Sequence, residues 1–347
     1  MIEKEALNIT RRALNLEDIA AKAGVSRSTV SRVINDEPYV SERTRQRVMA
    51  VIDREGYTPN LAARQLVTQR TQVIGVIHPH VVSQVFENPY YFPSLLQGIA
   101  EGTSERDYAT LLWWCHNQAE EERLHRRVLR YHRMMDGLIV ASARTDDPLL
   151  KHLVRLNMPF ILVERPPIMQ DMISYVSIDN IDAARSVIAY LIGIGRRRIA
   201  TITGALNNVD GIDRLTGYKL ALEAAGIAFD PKLVAEGHFS TLSGYQGMQQ
   251  LIDQRPDAVF AGNDSTAHGA LQYLNEIGMR VPDDVALIGF DDMPIAQQIT
   301  PTLTTIRAPI QHKAYTATTL LIDMINGDMT APRQVLLPTQ LIIRDST

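Results

Sequence analysis

Two hydrophobic patterns divide the chain. Over residues 15–56 apolar positions recur every three or four residues, which predicts three short helices. In NLEDIAAKA, Asn15 reads as an N-cap, Glu17 and Asp18 suit the positive helix start, and Leu16, Ile19, Ala20 and Ala23 share one face. Gly24 breaks the pattern, and Ser26 caps a second helix in RSTVSRVIN. Ser41 opens a third helix, with Val48, Val51 and Ile52 on its buried side and Gly56 as its stop. Two short helices joined by a glycine turn, with a third packed on them, make the helix-turn-helix pattern.

From Thr71 onward the pattern changes. Apolar runs such as QVIGVIHP, YATLLWWC, DGLIVAS, PFILVE, SYVSID, RRIATITG, LVAEGHF, DAVFAGN and VALIGFDD alternate with amphipathic helical stretches. Strands apolar on both faces and separated by helices predict α/β architecture with doubly wound parallel sheets. About ten such units are too many for one compact sheet, so two lobes are expected. A last helix and a strand pair, RQVLLPTQLIIRD, close the chain. The expected division is an all-α headpiece at 1–56, a linker at 57–72 and a two-lobed core at 73–347. Within the linker, LAARQL makes less than two helical turns, too few to be stable alone.

Composition narrows the class. The 347 residues include a single cysteine, Cys115, so no intramolecular disulfide forms, as suits a reducing cytoplasm. MIEKEALNITRR has no apolar run of the signal-peptide kind, and no stretch approaches the ~18 apolar residues of a membrane span, so a cytoplasmic protein is expected. Net charge is −4, but residues 1–70 carry 12 Lys and Arg against 9 Asp and Glu. A small basic head on an acidic body suits an anion-binding module.

The second helix carries the chemistry. Val30, Val33 and Ile34 face the first helix, which leaves Arg27, Ser28, Thr29, Ser31 and Arg32 outward. Guanidinium forks match guanine O6 and N7, and hydroxyls match phosphates, so this face suits duplex DNA; a plain solvated face is the alternative. Catalytic patterns are missing: there is no GxxxxGK[ST], GxSxG or HExxH, and the glycines of LIGIGRRR precede a strand instead of following one. His78 and His80 lack further ligands nearby and read as loop residues. No cofactor, metal site or enzyme activity is expected. In the core, polar residues directly after strands mark an interlobe cleft for a small ligand. They include Glu164, Asn263 and Asp291, with Arg214 on the following helix and Phe239 after LVAEGH. Asp264 and Asp292 fit either a helix cap or the cleft, and Phe239 fits a core ring equally well. A pure small-molecule binder or sugar-acting enzyme could use the same two-lobed body; the DNA-binding head argues against both.

LEDIAAKAGVSRSTVSRVIN, VSERTRQRVMAVIDREGYTPNLAARQL, NDSTAHGAL, VPDDVALIGFDD and PTLTTI together resemble the LacI/GalR family of bacterial transcription regulators, from about Leu16 to Arg344. The resemblance implies a headpiece, a hinge helix and a core like that of periplasmic sugar-binding proteins. It places Arg27, Ser28 and Arg32 at base edges, and Ser26, Thr29, Ser31, Asn35 and Tyr39 at the DNA backbone. PNLAARQL matches the hinge helix, with Asn60, Ala63 and Leu66 on DNA and Leu66 as a minor-groove wedge. Arg214, Asn263, Asp291 and Phe239 match effector-contacting positions, and Tyr91 and Phe92 an aromatic wall; Glu164 and Ser142 are further candidates. Purine-responsive relatives carry Arg and Thr where this chain has Asn208 and Asp210, which favours a carbohydrate effector. The implied unit is a repressor homodimer on operator DNA. With no room after Ile343 for a leucine-heptad helix, a tetramer is not expected.

Overall fold

The computed structural model describes residues 14–34, 37–57, 70–81, 89–115, 118–141, 144–145, 148–330 and 332–347. The chain forms two compact units, Met1–Thr71 and Gln72–Thr347.

The first unit holds α1 (Leu16–Ala23), α2 (Arg27–Ile34) and α3 (Glu42–Glu55). Asn15 and Asp18 form a capping box that satisfies two free N–H groups of α1. Ser41 caps α3 by accepting from the Thr44 N–H. Gly24 and Gly56 end α1 and α3 at φ 63° and 62°, a left-handed conformation that glycine adopts without a Cβ penalty. The three helices close over Ile19, Ala20, Ala23, Val30, Val33, Val48, Val51 and Tyr57. Burial follows the period-3.6 pattern of each helix.

The second unit is a two-lobed α/β core. Lobe 1 contains β1 (Val73–Val81), α4 (Tyr91–Ser104), β2 (Ala109–Cys115), α5 (Gln118–Arg130), β3 (Gly137–Ala141), α6 (Leu149–Arg155), β4 (Phe160–Val163) and β5 (Tyr175–Ile178). Lobe 2 contains α7 (Asn180–Gly193), β6 (Ile199–Ile202), α8 (Val209–Ala224), β7 (Val234–Ala235), α9 (Thr241–Leu251), β8 (Ala258–Ala261), α10 (Asp264–Glu276), β9 (Ala286–Ile288), α11 (Ile295–Gln298) and β10 (Thr305–Arg307). The chain then returns to lobe 1 for α12 (Ile310–Asn326) and β11 (Gln334–Leu337), and ends at lobe 2 with β12 (Gln340–Ile342).

Lobe 1 is a parallel sheet in the order β11-β5-β4-β3-β1-β2, and lobe 2 a parallel sheet in the order β7-β6-β8-β9. Both faces of each sheet are covered by helices, which is why the strands read as continuous apolar runs. The chain passes between lobes three times, at 178–180, 307–310 and 337–340.

Three readings change. The final strands do not pair with each other: β11 joins β5 in lobe 1, and β12 pairs antiparallel with β10. Pro338 sits between them and offers no N–H to continue a ladder. PTLTTI supplies β10, and LVAEGHF shrinks to the two residues of β7. His78 lies in β1, not a loop; it is buried, with its ring edge-on to Phe92 at 5.1 Å. The side chain of His80 falls outside the described residues. Among the described residues no group of three or more His, Cys, Asp or Glu could hold a metal, and no helix is long and apolar enough to cross a membrane.

Helix spacing in lobe 2 depends on a glycine. A Cβ at Gly269 of α10 would lie 1.8 Å from the Thr241 carbonyl oxygen and 2.7 Å from the Tyr245 nitrogen on α9. Gly269→Ala must push two packed helices apart. It is expected to destabilise the core by about 1–3 kcal/mol, read as a lower urea midpoint at unchanged m.

Candidate functional site

In the headpiece, α2 buries Val30 and Val33 and turns its polar face outward. Ser26 Oγ accepts from the Thr29 N–H at 3.1 Å, so Ser26 caps the helix, and it also bonds the hydroxyls of Ser28 and Thr29 at 2.8 Å. Arg27 pairs with Glu17 at 3.1 Å and Arg32 with Glu37 at 3.6 Å, all four side chains well exposed. Such pairs contribute little and are readily exchanged for phosphate or base contacts. Tyr39 is 86% exposed. Asn35, Asn60, Ala63 and Leu66 lie outside the described residues.

In the core, the carboxyl ends of the parallel strands converge on the gap between lobes. Glu164 follows β4, Asn180 follows β5 by two residues, Gly262 and Asn263 follow β8, and Asp291 lies just past β9. On the lobe 1 side, Tyr91 Oη donates to Glu164 Oε1 at 2.8 Å. Lys313 Nζ lies 3.4 Å from Tyr91 Oη and 3.8 Å from Glu164. On the lobe 2 side, Arg214 Nε donates to Asn180 Oδ1 at 2.9 Å, and Nη1 to the Gly262 carbonyl at 2.5 Å. Asn180 Nδ2 in turn donates to Asp210 at 2.9 Å. The Arg214 guanidinium lies 3.6 Å from the Phe290 ring centroid and 5.6 Å from that of Phe239. Its Nη2 is 3.6 Å from Asp291 Oδ1 and 4.0 Å from Asp210. Glu164, Arg214, Asp210, Asp291 and Lys313 are all buried.

Asp291 differs from its neighbours. Its buried Oδ1 has no hydrogen-bond partner among the described residues. Burial pushes its carboxyl up to about 6, with Arg214 and then Lys313 pulling it back down. The folded state therefore holds this proton more tightly than the unfolded chain. Its contribution to stability is full below the unfolded value near 4 and is lost as pH rises through about 6. Burial, and then the Glu164 charge, raise the Tyr91 hydroxyl well above its ordinary value, so it stays a donor. Asp291, Asp292 and Phe239 take positive φ of 103°, 56° and 61°, strain that gathers beside this gap.

Tyr91, Glu164, Arg214 and Asp291 thus come together. Asn263 is 1% exposed and already committed: Oδ1 caps α10 through the Thr266 N–H, and Nδ2 donates to the Phe239 carbonyl. That takes the cap role from Asp264, which is fully buried and accepts from the Met293 N–H and the Thr305 hydroxyl. Asp292 is not a cap either; it pairs with Arg307 and Arg344. Phe92, expected on the aromatic wall, is a core ring, 4% exposed, on the same stripe of α4 as Leu95 and Ile99. Phe239 is half-buried with its ring against Gly204. Asn208 caps α8, which leaves its Oδ1 engaged with the Asp210 N–H. Ser142 lies outside the described residues.

Lys313 was not found from sequence. Its signal was a lysine on the apolar stripe of α12, between Ile310 and Ala317. Asn180 obeyed the strand-end rule and was passed over.

Residues 15–60 match the family described as bacterial regulatory proteins, lacI family, and residues 188–347 match a periplasmic binding protein-like domain. The HTH-type transcriptional regulator CelR of Thermobifida fusca is 40% identical over 339 residues, 97% of this chain and 99% of that protein. The chain belongs to the LacI family. The HTH-type transcriptional repressor PurR of Escherichia coli is 34% identical over 334 residues, 95% of this chain and 96% of that one. Among solved structures, a CelR–cellobiose complex matches with TM-score 0.76 and 36% identity, covering 96% of this chain and all of that one. The lac repressor dimer bound to operator and the anti-inducer ONPF matches with TM-score 0.80 and 25% identity, covering 96% and 99%. LacI-family members are DNA-binding regulators of transcription and not enzymes.

Two of the buried charges of lobe 2, Arg214 and Asp291, differ in what depends on them. Removing the Arg214 guanidinium leaves Asp210, Asp291, Asn180 Oδ1 and the Gly262 carbonyl without their shared cation. Arg214→Met is expected to cost about 3–5 kcal/mol, whereas Asp291→Asn, which removes a poorly paired charge, is expected to cost much less or to stabilise at pH 8. Urea midpoints of the two variants check the ordering.

Proposed function

We propose that the protein is a transcriptional repressor that binds operator DNA as a homodimer through the outward face of α2 and releases or grips it according to a sugar bound between the lobes. The observation that carries the effector half is Asp291 Oδ1. It is a buried acceptor that Arg214 approaches only to 3.6 Å and that makes no hydrogen bond among the described residues, facing a set of donors and acceptors drawn from both lobes. A buried acceptor without a donor is costly, and a ligand hydroxyl removes that cost. Tyr91, Lys313, Glu164 and Arg214 supply the mixture of donors and acceptors a polyhydroxyl molecule requires. The similar CelR structure is a complex with cellobiose, which makes a disaccharide the first ligand to try.

On this reading Arg27, Ser28 and Arg32 read base edges, while Ser26, Thr29, Ser31, Asn35 and Tyr39 hold the DNA backbone. Asn60, Ala63 and Leu66 belong to a hinge segment that meets the minor groove. Asn208 Oδ1 and Asp210 Oδ1 are spent on a helix cap and on Asn180, which supports a carbohydrate over a purine base.

The test is a thermal-shift screen of mono- and disaccharides and purine bases. A ligand at 100 times its dissociation constant adds about 2.7 kcal/mol, a rise of several degrees. Cellobiose or another disaccharide is expected to stabilise the protein. Affinity is expected to fall as pH drops through about 6, when Asp291 becomes protonated, and Asp291→Asn is expected to weaken binding and flatten that dependence. Stabilisation by a purine base with none by any sugar would overturn the reading.

A further inference from the structure

At the cleft, two pairs of consecutive residues divide their labour. Glu164 turns into the buried network, and its neighbour Arg165 reaches toward lobe 2. Arg214 turns into the network, and its neighbour Asp213 meets Arg165. The contact is bidentate: Arg165 Nη2 lies 2.6 Å from Asp213 Oδ1 and Nε 3.1 Å from Oδ2. The Asp213 side chain is 9% exposed and that of Arg165 31%. Burial raises the Asp213 carboxyl above its ordinary value, and Arg165 acts against that. A second contact grips the same end of α8. The Thr145 N–H donates to the Asn207 carbonyl at 2.9 Å, and Arg144 bridges Asn208, the residue that caps α8. Lobe 1 therefore holds the start of α8 at two points, one of them an ion pair that must be resolvated whenever the lobes part.

We propose that Arg165 and Asp213 form a latch across the cleft, acting as positioning residues that set the closed population and so the affinity and residence of the effector. The proposal rests on the reading of the cleft as the effector site. A fork-to-fork pair with one partner almost wholly buried is less screened than an ordinary surface pair. When only the closed form holds ligand well, the apparent dissociation constant rises by the factor by which the closed fraction falls.

The test uses the full chain with Arg165→Met, which keeps the stem and removes the charge, Asp213→Asn, the double variant and Arg165→Lys. Two quantities are read: hydrogen exchange at the Thr145 amide without ligand, and affinity for cellobiose. Each single variant is expected to raise both the exchange rate and the dissociation constant roughly three- to tenfold. The double variant is expected to cost no more than the worse single one, because the pair is lost once. Arg165→Lys is expected to recover part of the loss, since an ammonium keeps one of the two hydrogen bonds. Single variants that exchange as wild type without ligand, or costs that add in the double variant, would overturn the latch. If wild type does not bind cellobiose, the exchange measurement still decides the latch while the ligand reading fails.

Discussion

A guanidinium cannot shed its charge, and Arg214 is 5% exposed. That one burial constrains the rest of the cleft. The cation needs a flat partner and finds Phe290 at 3.6 Å. It needs acceptors in its plane and finds the Gly262 carbonyl and Asn180 Oδ1. It needs countercharge and has Asp210 and Asp291, both at the long end of ion-pair distance. These groups come from α7, α8 and the ends of β8 and β9, so a single side chain ties four elements of lobe 2 at the ends that face the gap. The same demand leaves Asp291 Oδ1 without a hydrogen bond among the described residues, and on the proposed function that oxygen is the ligand's anchor.

Closure is built on a different principle. The lobes are joined by three chain crossings, and across the gap they meet through contacts that can be broken: the Arg165–Asp213 fork and the backbone pairing at Thr145. On the proposed latch, such contacts would hold the closed arrangement only modestly, which is what a ligand needs if it is to shift a population. On the proposed function, that shift is what the headpiece reads.

Much of this was legible in the sequence where the determinant is local. The caps at Asn15 and Ser41, the turn at Gly24 and the outward face of α2 follow from neighbouring residues. Strand ends named Glu164 and Asp291, and the helix after β6 named Arg214, because parallel α/β sheets gather ligand chemistry there. What failed was non-local. Lys313 meets Tyr91 across 222 residues, a contact made only when the chain returns to lobe 1, and Arg165 meets Asp213 across 48, a contact made only once the two lobes have docked. Phe92 was placed on the cleft wall although its spacing with Leu95 and Ile99 marks a core stripe. The last two strands looked like a pair because sequence proximity is silent about which sheet each joins.

On the proposed function, ligand in the cleft and DNA on the headpiece share one equilibrium. The most direct measurement determines both affinities in one system: a duplex selected by the protein from random sequences, with and without saturating cellobiose, and cellobiose with and without saturating duplex. Linkage requires the two factors to be equal, and a factor of roughly 5 to 150 is the expected range. If each ligand binds well and neither alters the other, the cleft is not the switch.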